Sequence, residues 1–167
     1  DCFIEIIRAN LCNPWQLITY LNNWLYLCHM SQNPYSNNVL LNLGIQSLNK
    51  MQEVAQNAIL NEDNILLLSP TGSGKTLAFL LPIFQLLEED VKGVQCLILV
   101  PSRELGLQIE QVWKKMGTHY KVNTCYGGHS IDIEINNLSN PPALLIGTPG
   151  RIADHLDRGS FATDNIK

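Results

Sequence analysis

The stretch S-P-T-G-S-G-K-T at residues 69–76 directly follows the apolar run Ile65-Leu66-Leu67-Leu68, and Leu77-Ala78-Phe79-Leu80-Leu81 directly follows it. A short apolar run, broken by glycines and resumed at helical length, reads as buried strand, loop and buried helix. That setting suits a loop that wraps an anion. Gly72 and Gly74 carry no Cβ, so the backbone can turn tightly and bring its N–H groups close to a ligand. Those groups form a positive nest, and the helix that follows adds the positive end of its dipole. Lys75 supplies a mobile charge able to reach the β- and γ-phosphates of a nucleotide, and the Thr76 hydroxyl is of the kind that ligates Mg²⁺. A glycine-rich hairpin would need a second alternating strand after the loop, and a helix-length apolar run stands there instead.

The chain has 167 residues, enough for one domain with a core of its own. An apolar content of 46% with only 16% charged residues describes a folded protein and excludes a disordered one. The net charge of −4 gives no global positive field, so contact with a polyanion has to be local, through backbone N–H groups and single arginines. Five cysteines, odd in number and without metal-ligand spacing, fit reduced thiols and a cytoplasmic location better than a disulfide frame. No apolar stretch reaches the roughly 18 residues of a membrane-spanning helix, and the first residues do not read as a signal peptide.

Residues 1–30 differ from the rest. They hold two of the three tryptophans and three of the five cysteines, with Arg8 as their only Lys or Arg. Two expectations stand side by side for residues 1–29: translated upstream sequence with Met30 as the start, or a packed N-terminal helix. From Tyr35 onward the pattern is regular. Helices are expected over 37–43, ending at Gly44, and over 49–60. Strand-like runs at 65–68, 94–100, 122–126 and 143–146 then alternate with helical runs at 74–88, 103–116 and 150–158. The run holding Ile131, Ile133, Ile135 and Leu138 fits either period, and the crossover that a parallel sheet needs selects helix. Pro82 predicts a kink or break in the helix after the loop. Four strands with crossovers give an α/β fold with a parallel sheet and flanking helices.

In such a sheet, ligands bind beyond the carboxyl ends of the strands. Three punctuated loops fall at those ends: Pro101-Ser102-Arg103-Glu104-Leu105, Gly127-Gly128 and Thr148-Pro149-Gly150-Arg151. Each sets small residues, a hydroxyl or an arginine beside a helix start, which suits a grip on phosphodiesters without reading of bases.

Over residues 31–167 this order resembles the DEAD-box ATP-dependent RNA helicases, and specifically a partial N-terminal RecA-like P-loop domain. Gly44-Ile45 and Leu48-Asn49-Lys50-Met51-Gln52 are similar to the family's Q motif, with Leu48-Asn49 where Pro-Thr is usual. The resemblance makes Gln52 the reader of the adenine edge. From residue types alone, Gln52 equally fits the third position of a capping box begun by Asn49. Tyr35 is the candidate for stacking on the base. Thr71, Gly72, Ser73, Gly74, Lys75 and Thr76 match motif I, which implies binding of ATP and Mg²⁺, with Lys75 and Thr76 catalytic and Thr76 the metal ligand. The stretch 101–106 is similar to motif Ia, with Ser102 for Thr and Gly106 for Ala. Ser102 and Arg103 are thereby implied in RNA-backbone contact, although an ion pair with a neighbouring acid is the alternative for Arg103. Gly127 and Gly128 match the GG motif. Thr148, Gly150 and Arg151 belong to a complete motif Ib and carry the same implication. His119, His129 and His155 read as surface or core residues.

The family's D-E-A-D pair, its Ser-Ala-Thr motif and its second RecA-like domain with the arginine finger do not occur in these 167 residues. The domain is therefore expected to be incomplete at its C-terminus, to expose apolar edges, and to be catalytically incompetent alone, within a parent protein that is an RNA helicase. Three other readings stay open at this level: a non-catalytic nucleotide- or RNA-binding module, another P-loop helicase such as a RecQ-like DNA helicase, and a non-functional translated fragment.

Overall fold

The residues 144–147, L-L-I-G, form a strand buried along its whole length, and the fold is arranged around it. In the computed structural model, which describes residues 4–7 and 34–167, the elements run β1 (Ile4–Ile7), α1 (Pro34–Leu43), α2 (Lys50–Asn61), β2 (Asn64–Leu67), α3 (Lys75–Leu86), β3 (Cys96–Leu99), α4 (Arg103–Met116), β4 (Val122–Cys125), α5 (Ile131–Leu138), β5 (Leu144–Gly147) and α6 (Pro149–Asp157). Strands β3, β5 and β4 pair in that order, all parallel. Leu99, Gly147 and Cys125 are aligned at their carboxyl ends. The three loops that follow therefore leave the sheet along one edge.

Side chains alternate across β5. Leu144 and Ile146 join a core with Phe79 and Leu80 of α3 and Ile109, Trp113 and Met116 of α4. Leu145 faces a second core with Leu138 of α5 and Ile152 of α6. The sheet is thus covered on both faces, which explains why its central strand is continuously apolar.

The helix limits have local causes. Helix α4 starts at Ser102, whose hydroxyl accepts from the Leu105 amide at 3.3 Å, and it stops at Gly117 in the left-handed conformation. Its first turn holds Glu104 and its last turn Lys114 and Lys115, which match the helix dipole. Asn42 of α1 donates to the Met116 carbonyl at 3.0 Å and ties the two helices. Buried Gln95 stitches the turn before β3: it donates to the Glu88 and Val91 carbonyls and accepts from the Glu88 amide. The run 131–138 is a helix, as the crossover argument requires.

Two expectations change. Strand β2 does not join the parallel sheet; it pairs antiparallel with β1, Ile4 opposite Leu67 through Ile7 opposite Asn64. Its Ile65 packs against the first core, while Leu66 and Leu68 are exposed. An unbroken apolar run thus has only one covered face here. Residues 4–7 form a strand, which decides neither expectation for residues 1–29; the remainder of that segment lies outside the described residues. Helix α3 runs unbroken through Pro82, which is held in a wholly buried stretch from Leu77 to Phe84; tertiary packing outweighs the local penalty of the proline. Among the described residues no helix is long and apolar enough to cross a membrane.

Candidate functional site

The loop between β2 and α3 is shaped by two glycines in the left-handed region, Gly72 at φ 77° and Gly74 at φ 87°. Helix α3 begins directly after Gly74 and has no side-chain cap, so its first amides remain available to an anion. Lys75 is 8% exposed, and its Nζ donates to the Ser69 and Pro70 carbonyls, each at 2.6 Å. It makes no ion pair among the described residues. A buried ammonium without a carboxylate is unusual, because buried charges are ordinarily paired. With three donors and two carbonyl partners, it keeps one donor for an incoming anion. Ser69 and Ser73 close the loop through their hydroxyls at 2.7 Å. Thr71 and Gly72 are exposed, and Thr76 is half-buried at the second position of α3.

Helix α2 is fastened to this loop. Asn49 caps it, and with Gln52 forms a full capping box: Gln52 N donates to Asn49 Oδ1 at 3.0 Å and Asn49 N to Gln52 Oε1 at 2.9 Å. The same two side chains reach across, Asn49 Nδ2 to the Ser73 carbonyl at 3.1 Å and Gln52 Nε2 to the Gly74 carbonyl at 3.2 Å. The capping box and the contact with the 69–74 loop therefore use the same two side chains. A Cβ on Gly74 would stand 2.5 Å from Gln52 Nε2. The amide of Gln52 retains one N–H and one lone pair. Tyr35 lies in α1, and its side chain is outside the described residues.

The second group lies at the carboxyl edge of the parallel sheet. The ladder continues into the loops: Val100 N donates to the Gly147 carbonyl at 2.9 Å, and Thr148 N to the Cys125 carbonyl at 3.1 Å. Ser102 caps α4 and is half-buried. Arg103 is exposed and bonded through Nε to its neighbour Glu104 at 2.8 Å, the ion pair weighed from the sequence. The Glu104 carboxyl is held below its usual range by its backbone hydrogen bond first and by Arg103 second. Gly127, Gly128 and Gly150 are exposed, and an added Cβ at any of them would meet nothing within 4 Å. Thr148 precedes α6, with Pro149 in its first turn. Arg151 is almost covered; its guanidinium donates to the His129 carbonyl at 2.8 Å and stands 3.6 Å from Glu134.

The sequence reading missed Gly147 and Glu134, the partner of His155. A Cβ on Gly147 would stand 2.9 Å from the Cys125 carbonyl and closer still to Ile152, so only glycine lets α6 sit on the sheet here. His155 is in the core, as one of the two expected outcomes, but it is bonded to buried Glu134 at 2.8 Å. Glu134 stood in plain view: with Ile131, Ile135 and Leu138 it completes one helical stripe. Burial first, and the Glu134 charge second, push the Cys125 thiol up to about 12, which keeps it protonated and unreactive.

Known proteins are similar to this chain over most of its described length. The family model described as DEAD/DEAH box helicase matches residues 49–167. The ATP-dependent RNA helicase DeaD of Escherichia coli is 37% identical over 125 residues, which cover 73% of this chain and 20% of that protein. The ATP-dependent RNA helicase eIF4A of Kluyveromyces lactis is 39% identical over 119 residues, 70% of this chain and 30% of that protein. The crystal structure of a DEAD box protein from the hyperthermophile Methanococcus jannaschii superposes with a TM-score of 0.71 at 35% identity, covering 78% of this chain and 36% of that one. The chain thus spans between a fifth and about a third of the length of these relatives. The family match over residues 49–167 and the likeness of the parallel sheet with its flanking helices agree: the chain belongs to the DEAD/DEAH box helicases, with their RecA-like fold.

Proposed function

We propose that these residues form the ATP-binding and RNA-backbone-binding part of an ATP-dependent DEAD-box RNA helicase. The observation that carries the reading is Lys75, a buried cation whose partners among the described residues are carbonyls, at an uncapped helix start. A nucleotide triphosphate is the anion that this geometry suits. Lys75 would turn from the Ser69 and Pro70 carbonyls to the terminal phosphates, while the amides of residues 72–76 hold the oxygens between them. Gln52, fixed by Asn49 and Gly74, would present its remaining N–H and lone pair to the adenine edge, which matches that donor–acceptor pair. Mg²⁺, with the Thr76 hydroxyl among its ligands, would neutralise phosphate charge. The 167 residues contain no D-E-A-D and span 20% and 30% of the length of the two curated relatives; their part is binding, and turnover belongs to a full-length protein that supplies the carboxylates.

The RNA part rests on the loops at 102–103, 127–128 and 148–151, which lie along one sheet edge with open glycine backbone. Relatives named as RNA helicases support RNA over DNA. Displacement of a fluorescent ATP analogue from the chain should be achieved by ATP and much less well by GTP. A labelled oligouridylate should bind more tightly than its deoxy counterpart. Equal displacement by both nucleotides would remove the role of Gln52, and preference for the deoxy strand would favour a DNA helicase.

A further inference from the structure

We propose that Glu134 is a positioning residue that locks the Gly127-Gly128 loop to the Thr148–Arg151 turn, so that both grip one stretch of RNA backbone; the ligand class rests on the function proposed above. Glu134 lies in the first turn of α5 and is 4% exposed, yet its carboxylate addresses three other segments. Oε1 accepts from the Tyr126 amide at 3.2 Å, at the exit of β4, and stands 3.7 Å from His129 Nδ1. Oε2 accepts from His155 Nε2 at 2.8 Å and stands 3.6 Å from the Arg151 guanidinium, both on α6. Arg151 closes the circuit by donating to the His129 carbonyl at 2.8 Å. The glycine loop is thereby held at Tyr126 and at His129, the residues on either side of it, and the turn at Arg151.

Packing alone does not call for this arrangement. Position 134 lies on the apolar stripe of α5, where a leucine would fill the space without desolvating a charge. A buried polar network instead fixes one geometry, because each member loses bonds when the others move. What the network fixes is the relative placement of two loops whose glycines stand open to solvent. Arg151, with two of its arms engaged on protein atoms, acts largely as a strut, which leaves the amides around Gly128 and Gly150 as the surfaces offered to phosphates. The donor atoms of Cys125, Glu134 and His155 lie within 4.8 Å of one another. The Arg151 guanidinium beside the carboxylate and the protonated thiol make this a hydrogen-bonded clamp, not a metal site.

The test uses the 167-residue chain and its Glu134→Gln and Glu134→Ala variants. Glutamine keeps an acceptor for Tyr126 but loses the charge that holds Arg151; alanine loses both. Hydrogen exchange at the amides of residues 126–129 and 150–151 reads the clamp without RNA, and a labelled oligouridylate reads the grip. Exchange there should quicken in E134Q and more so in E134A. RNA affinity should fall by about threefold and about tenfold, as expected of a residue that acts through others, with affinity for the ATP analogue unchanged. E134Q alone decides should E134A not fold. Unchanged exchange, or unchanged RNA affinity in variants whose loops have loosened, would overturn the proposal. Failure of the unaltered chain to bind oligouridylate would instead refute the RNA reading itself.

Discussion

Lys75→Met is expected to weaken ATP binding by about ten- to a hundredfold while leaving the melting temperature unchanged or higher. The two effects have one cause. The Lys75 ammonium is buried against carbonyls and has no anionic partner among the described residues, so in the free protein it carries a desolvation penalty that methionine, of similar length, does not. With nucleotide bound, the same charge makes charge-assisted bonds to phosphate, each worth about 1.5–3 kcal/mol, which is roughly ten- to a hundredfold in affinity. A purely structural lysine would give the opposite pairing: lost stability with little change in affinity. Calorimetric titration with ATP, beside a thermal melt, separates the two.

Gly147→Ala is expected to destabilise the chain and to disturb RNA binding more than ATP binding. The added methyl would overlap Ile152 and stand 2.9 Å from the Cys125 carbonyl, a backbone atom that cannot rotate aside. Overpacking of this kind typically costs about 1–3 kcal/mol, roughly 2–12 °C in Tm for a domain of this size. Ile152 belongs to α6, so relief of the clash would push the helix, and with it the residues 148–151, away from the sheet edge. The loop before α3 is anchored through Asn49 and Gln52 on other elements. A melt with parallel titrations of ATP analogue and oligouridylate checks this. Equal loss of both affinities would show that the effect is global.

The parts of the fold that were legible have local causes. Helix α4 has the expected limits because its start and stop are written as Ser102 and Gly117. The motif loops fall at strand ends because hydrophobic runs and glycine punctuation coincide there. The position of β2 was not legible. The run Ile65-Leu66-Leu67-Leu68 states that both faces are apolar, and cannot state which neighbour will cover them; pairing with residues 4–7 is a contact across some sixty positions. The clamp was half legible. Glu134 breaks an apolar stripe and so announces a buried charge, but its partner His155 is 21 residues away, brought near only by the β4–β5 register. For Gln52 the sequence offered capping or the adenine edge; the structure shows the capping box and, beyond the sequence reading, a bond from the same amide to the Gly74 carbonyl.

The most direct measurement is amide chemical-shift mapping of the chain with Mg-ATP and then with oligouridylate. The expected result is two separate sets of perturbed amides: Gln52 and residues 71–76 with nucleotide, and residues 102–103, 127–128 and 148–151 with RNA. Nucleotide shifts that spare Gly74 and Lys75, or RNA shifts scattered away from the three loops, would contradict the assignment of this chain as a joint ATP and RNA grip.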